Sequence, residues 1–125
     1  MNMRTVLLIA IFGLLTSCMS WSERQAQNRK EENDERRNTY IKFHPETSVK
    51  MKEIILSGSI AIGMTKEQAI ASWGKPQKNN RTVTKYGVRE QWCYGVYSDS
   101  WETYLHVHTY VYFNDGKLSS WQGIK

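Results

Sequence analysis

ETYLHVHTYVYFNDGKLSSWQ, residues 102–122, decides the fold. Its first half alternates with a period of two and is rich in β-branched and aromatic residues, the pattern of a strand. One set of alternate residues is Leu105, Val107, Thr109, Val111 and Phe113, suited to face a core. The other is Tyr104, His106, His108, Tyr110 and Tyr112, which then lines the opposite, open face of a sheet. Asn114-Asp115-Gly116 tolerates positive φ and reads as a hairpin turn, so KLSSWQ, residues 117–122, returns as a last strand.

Working upstream, KNNRTVTKYGVREQWCYGV, residues 78–96, reads as two more strands around a turn near Tyr86-Gly87. Before them lies GMTKEQAIASWGKP, residues 63–76, a short helix fenced at both ends. Thr65 suits the N-cap, since its hydroxyl accepts from the first free backbone N–H groups. Gln68, three residues on, can reach back and complete a capping box. Gly74 fits the left-handed residue after the helix and Pro76 stops continuation. Ala69, Ile70 and Trp73 share one face. SVKMKEIILSG, residues 48–58, offers Met51, Ile54 and Ile55 on one face of an earlier helix that stops at Gly58. Residues 59–63 form a brief connector, with Ile60 and Ile62 on one side if extended. The expected fold is therefore α+β and two-layered: two short helices on one face of a three- to four-stranded antiparallel meander sheet. A core of such size is small, and Trp73, Trp92, Phe113 and Trp121 are its expected large members.

The N-terminal end differs in kind. Arg4 precedes a ten-residue apolar run, Val6 to Leu15. A spanning helix needs about 20 apolar residues, so this run reads as a secretory signal. It ends in Leu15-Thr16-Ser17-Cys18, small residues before a cysteine, which resembles the bacterial lipobox. The resemblance implies cleavage before Cys18, a diacylglyceryl group on its thiol and an N-acyl chain such as palmitate. The other reading is an ordinary cleavage site beside an incidental cysteine. Met19 and Ser20 follow rather than aspartate, which by resemblance to enteric sorting favours the outer membrane, or the cell membrane where the source has only one. Cys93 is the second of two cysteines. Between Trp92 and Tyr94 it reads as a buried small apolar side chain.

Residues 18–47 carry six basic and six acidic residues with almost no apolar periodicity. That composition predicts a charged flexible tether, at most a transient exposed helix where Glu and Arg alternate, that packs on nothing stably and ends near Pro45. About 30 such residues would span roughly 30 Å. Residues 48–125, the expected domain, carry ten basic and six acidic residues. The lysines are scattered, without the clustered basic face of a nucleic-acid binder, so no nucleic-acid partner is expected.

ILSGSIAIGMTKEQAIASWGKPQ (55–77), NRTVTKYGVREQWCYG (80–95) and YVYFNDGKLSSWQ (110–122) together resemble the SmpA/OmlA (BamE-like) outer-membrane lipoprotein domain family. The shared marks are Gly63-Met64-Thr65, Gly74-Lys75-Pro76, Trp92-Cys93-Tyr94 and the Tyr110–Leu118 hairpin with Asp115-Gly116. They cover roughly residues 50–122. The resemblance implies a BamE/BLIP-like helix-helix-strand-strand-strand fold, a lipid anchor on the periplasmic side, and no catalysis. In the best-known branch it implies a place in the machinery that inserts β-barrels into the outer membrane.

Chemistry offers little beside this. His106 and His108, two apart on a strand, could meet one metal, but a zinc site needs further ligands and only His44 and scattered acids remain. No nucleophile motif and no phosphate-cradling glycine loop is present, so neither an enzyme nor a cofactor is expected. The tyrosine-rich set is the remaining signal, because Tyr gives contact area and a hydroxyl at small entropy cost. Tyr104, His106, His108, Tyr110 and Tyr112 are the candidate face for a periplasmic or outer-membrane protein partner. The same face could instead bind a small ligand or metal, or simply be solvated.

Overall fold

The computed structural model describes residues 19–98 and 105–123. Its elements are α1 (Trp21–Phe43), α2 (Val49–Leu56), α3 (Lys66–Trp73), β1 (Lys78–Thr84), β2 (Gly87–Ser98), β3 (Leu105–Asn114) and β4 (Lys117–Gly123). The chain divides into two compact units, Met1–Glu32 and Asn33–Lys125.

In the first unit the described residues are mostly helix. Ser20 caps it: its hydroxyl accepts from the Glu23 amide at 3.3 Å, while the Glu23 carboxylate accepts from the Ser20 amide at 2.7 Å. That reciprocal pair is a capping box. Gln27 donates to Glu31 one turn on. No residue of α1 is fully buried.

The second unit begins inside α1, earlier than the expected start near Ser48. Arg36 Nε donates to the Ala71 carbonyl at 3.2 Å, and Arg37 Nε to that of Ser72 at 3.1 Å. Both carbonyls belong to the last turn of α3, where orphan acceptors and the negative dipole end attract cations. Tyr40 and Ile41 pack against the core. Residues 33–43 are thus part of the packed body, which corrects the expectation of a tether free of packing up to residue 47. Composition hid this, because two partly buried contacts and two guanidinium clamps need only four residues of an otherwise polar stretch.

The two short helices form where the local signals place them. Ser48 caps α2 by accepting from the Met51 amide. Thr65 and Gln68 form the expected capping box on α3, at 3.1 and 3.0 Å. Gly74 follows α3 with φ 85° and ψ 179°, a positive-φ conformation open to glycine but outside the left-handed helical well. Ser72, fully buried, donates to the Ser59 carbonyl at 2.6 Å, and Trp73 Nε1 donates to Gly58 O at 2.8 Å. These bonds satisfy the polar groups that α3 carries inward.

The sheet is antiparallel with order β1-β2-β3-β4, a simple meander of four strands. Trp92 lies opposite Val111, and Glu90 opposite Phe113. The core comprises Ile55, Met64, Ala69, Ala71, Trp92, Val111, Phe113 and Leu118, with Trp92 and Phe113 rings 4.4 Å apart. Helices on one face of a meander sheet give the α+β, two-layer architecture expected from the sequence. The Asp115-Gly116 hairpin turn has φ of 47° and 80°, the primed geometry that matches strand twist.

Two expected core placements differ. Trp121 is 46% exposed. A bulge between Tyr112 and Phe113 pairs Phe113 with Leu118 but Val111 with Trp121. One extra residue therefore brings Leu118 and Trp121, three apart, to the same helix-side face. Trp121 sits there on the edge strand, outside the buried cluster. Ile62 is 61% exposed while Ile60 packs on the core. The connector is turned rather than extended at that point: Met64 N bonds Ala61 O at 3.2 Å, so the two side chains part company.

Candidate functional site

The face of the sheet opposite the helices is built by period two. β1 contributes Asn80, β2 contributes Gln91 and Cys93, β3 contributes His108, Tyr110 and Tyr112, and β4 contributes Ser120 and Gln122. Register places Gln91 beside Tyr112 and Cys93 beside Tyr110. It also places Ser120 and Gln122 beside Tyr112 and Tyr110. A row of side-chain bonds crosses three strands. Asn80 Nδ2 donates to Gln91 Oε1 at 3.0 Å, and Gln91 Nε2 donates to the Tyr112 hydroxyl at 3.3 Å. The Tyr110 and Tyr112 rings lie 6.5 Å apart and 21° from parallel. Both are half-buried.

Two features of this face were not legible in advance. Cys93 is buried, as expected, but on this side of the sheet and outside the hydrophobic core cluster. Gly95 has φ 67°, and a Cβ there would lie 2.5 Å from the His108 Cβ. Only glycine lets β2 and β3 approach at that point while His108 stays exposed.

The structure brings Tyr110, Tyr112 and His108 to one face, as their spacing predicts. His106 pairs in register with Tyr97 on β2, and its side chain is outside the described set. Tyr104 and Cys18 lie outside the described residues. His44 is not near this face in sequence or element. It stacks on Tyr40 with centroids 4.2 Å apart and pairs with Glu46 at 3.2 Å. Among the described residues no group of three or more His, Cys, Asp or Glu is placed to hold a metal ion.

The helix side carries the contrasting electrostatic feature, a buried carboxylate. Glu90 is 7% exposed. It accepts from Lys66 Nζ at 2.8 Å, Trp92 Nε1 at 3.1 Å and Asn79 Nδ2 at 3.5 Å, with Arg81 Nε 3.8 Å away. The Lys66 bond, foremost, holds its carboxyl below the usual range against the opposing effect of burial. Sequence parity could have found it, since Glu90 shares the alternation of Trp92. Tyr94 also points to the helix side, donating to Gly74 O at 2.9 Å. Burial pushes its hydroxyl up to about 12.

Two concavities lie among the described residues of the second unit. A shallow groove of about 270 Å³ lies between α1 and α3, lined by Tyr40, Phe43, His44, Glu67 and Ile70 among others. A smaller one of about 140 Å³ lies where the β1–β2 and β3–β4 turns meet, near Tyr86, Arg89 and Asp115. There Asp115 N donates to Val88 O, and Val88 N donates to Asp115 Oδ1, both at 2.8 Å. Among the described residues no helix is long and apolar enough to cross a membrane. No family model matches the chain, and neither the curated proteins nor the solved structures yield a match.

Proposed function

We propose that this chain is a lipid-anchored envelope lipoprotein whose folded body is a non-catalytic protein-interaction module. Residues 1–17 act as the signal and Cys18 carries the lipid, which holds the body at the periplasmic side of the outer membrane. Two or three acyl chains suffice for stable attachment, where one alone would not. Kinship with the SmpA/OmlA (BamE-like) family, and through it a supporting role in outer-membrane protein assembly or envelope integrity, belongs to the same proposal.

The observation that carries the interaction role is the open face of the sheet. Tyr110 and Tyr112 stand half-exposed beside the bonded row Asn80–Gln91–Tyr112, a surface with ring area and pre-ordered polar groups. Such a surface suits a protein partner because little side-chain entropy remains to be lost on binding. Two measurements test the proposal. Intact mass of the native protein should show cleavage before Cys18 and acyl additions; a retained Met1 or an unmodified thiol at Cys18 defeats the anchor. Alanine at Tyr104 and Tyr110 together should abolish crosslinks to envelope proteins in cells while the fold persists. Unchanged crosslinks defeat the docking face, and stoichiometric zinc or copper in the purified protein would turn the face into a metal or small-ligand site.

A further inference from the structure

The two edges of the sheet are treated differently. β4 begins under cover: Gly63 N donates to Leu118 O, Leu118 N donates to Met64 O, both at 2.8 Å, and Thr65 bridges to Lys117. β1 has no such cover among the described residues. All seven of its residues are exposed, its pairing with β2 runs from Lys78 to Thr84 without a register shift, and it contains no proline. The direction of its free peptide groups follows from the register. Val88 directs both its N–H and its C=O to Asp115, away from β1. Its partner Val83 therefore directs its own peptide groups outward, and with period two so do Arg81 and Asn79. Three donors and three acceptors face solvent in strand geometry.

The charge carried by this stretch of the chain is of one sign, with the Asp115 carboxylate engaged at its turn end by the Val88 amide. From Lys75 to Arg89 the chain carries Lys75, Lys78, Arg81, Lys85 and Arg89, and no carboxylate. Glu90, next along, is buried and paired with Lys66 at 2.8 Å and, more loosely, with Arg81 at 3.8 Å. An antiparallel pairing with a second copy, centred on Arg81, would set Arg81 against its own copy and gather Lys78 and Lys85 of both strands along one ladder, which opposes self-association. An extended acidic segment meets the opposite situation: its backbone completes the ladder and its carboxylates face the cations. We propose that β1 is a strand-addition site for an extended, acidic segment of another protein. The site is distinct from the tyrosine face and does not depend on it.

The test uses the purified, ¹⁵N-labelled full chain and two synthetic eight-residue peptides that alternate Val or Thr with either Glu or Lys. The Glu peptide should shift the amides of Asn79, Arg81 and Val83 saturably. At about ten times its dissociation constant it should slow their exchange roughly tenfold. The Lys peptide should do neither. Arg81→Pro removes an outward N–H and should abolish the response. The double variant K78E/K85E touches no buried group and should reverse the preference between peptides. Equal response to both peptides, a response confined to the tyrosine face, survival of the response in Arg81→Pro, or unchanged preference in K78E/K85E each overturns the proposal. So does a β1-dependent dimer in sedimentation of the free protein.

Discussion

The two faces of one sheet carry opposite chemistry on the same strands. On the helix side Trp92, Val111, Phe113 and Leu118 are at most 3% exposed. On the other side Gln91, Tyr110 and Tyr112 remain half-buried, with Gln91 hydrogen-bonded to Tyr112. Each face contains one exception: a carboxylate, Glu90, beneath the helices, and a buried thiol, Cys93, beneath the tyrosines. The comparison teaches that alternation sorts residues by side but does not set what each side tolerates. A charge survives on the apolar side because three hydrogen-bond donors and the nearby Arg81 guanidinium surround it.

Breaking the apolar side should cost most. Phe113→Ala leaves a cavity against Trp92 and should lower unfolding free energy by about 3–5 kcal/mol, read by denaturant titration. Removing the chief partner of the exception comes next. Lys66→Ala strips the shortest bond from Glu90 and should cost about 1–2 kcal/mol, since Trp92 and Asn79 remain. The pH dependence has a definite sign. Because the folded carboxyl titrates lower than the unfolded one, its stabilisation is present above the unfolded value and lost as pH falls through the folded one. Acid unfolding of Glu90→Gln should lack that component.

Tyr94 supplies the alkaline counterpart. The unfolded hydroxyl ionises near 10 and the folded one near 12, so stability should fall as pH rises across that interval. In Tyr94→Phe that fall should vanish, with a loss at neutral pH of about 1 kcal/mol for the bond to Gly74. The local fence sharpens the scale: Thr65→Ala should cost about 1 kcal/mol in thermal unfolding. The open face should cost least. Tyr112→Ser loses one partly exposed bond and should change stability by less than about 1 kcal/mol. A large loss there would mean that the two faces share the load.

Much of this was legible because it is local. The capping box of Thr65 and Gln68, the Asp115-Gly116 turn and the period-two sorting of Val111, Phe113, Tyr110 and Tyr112 each depend on residues within a few positions of one another. What was missed depends on distance along the chain. Arg36 and Arg37 lie 35 residues or so from the carbonyls they clamp. Trp121 takes its side from a bulge opposite β3, and its exposure from lying outside the buried cluster.

The candidate site divides the same way. Spacing alone put His108, Tyr110 and Tyr112 on one face, since the strand period is a property of the backbone. Only tertiary structure added Asn80, Gln91 and Cys93 to it, because cross-strand register joins residues that the chain keeps 11 to 32 positions apart. The amino-acid order by itself determined α2, α3, the four strands and which of their side chains share a side, but not α1, whose residues read as a flexible tether. The assembled fold decided which of those sides is sealed, which strand edge is left open, and where the packed body begins, because burial and pairing are settled by what arrives from elsewhere in the chain.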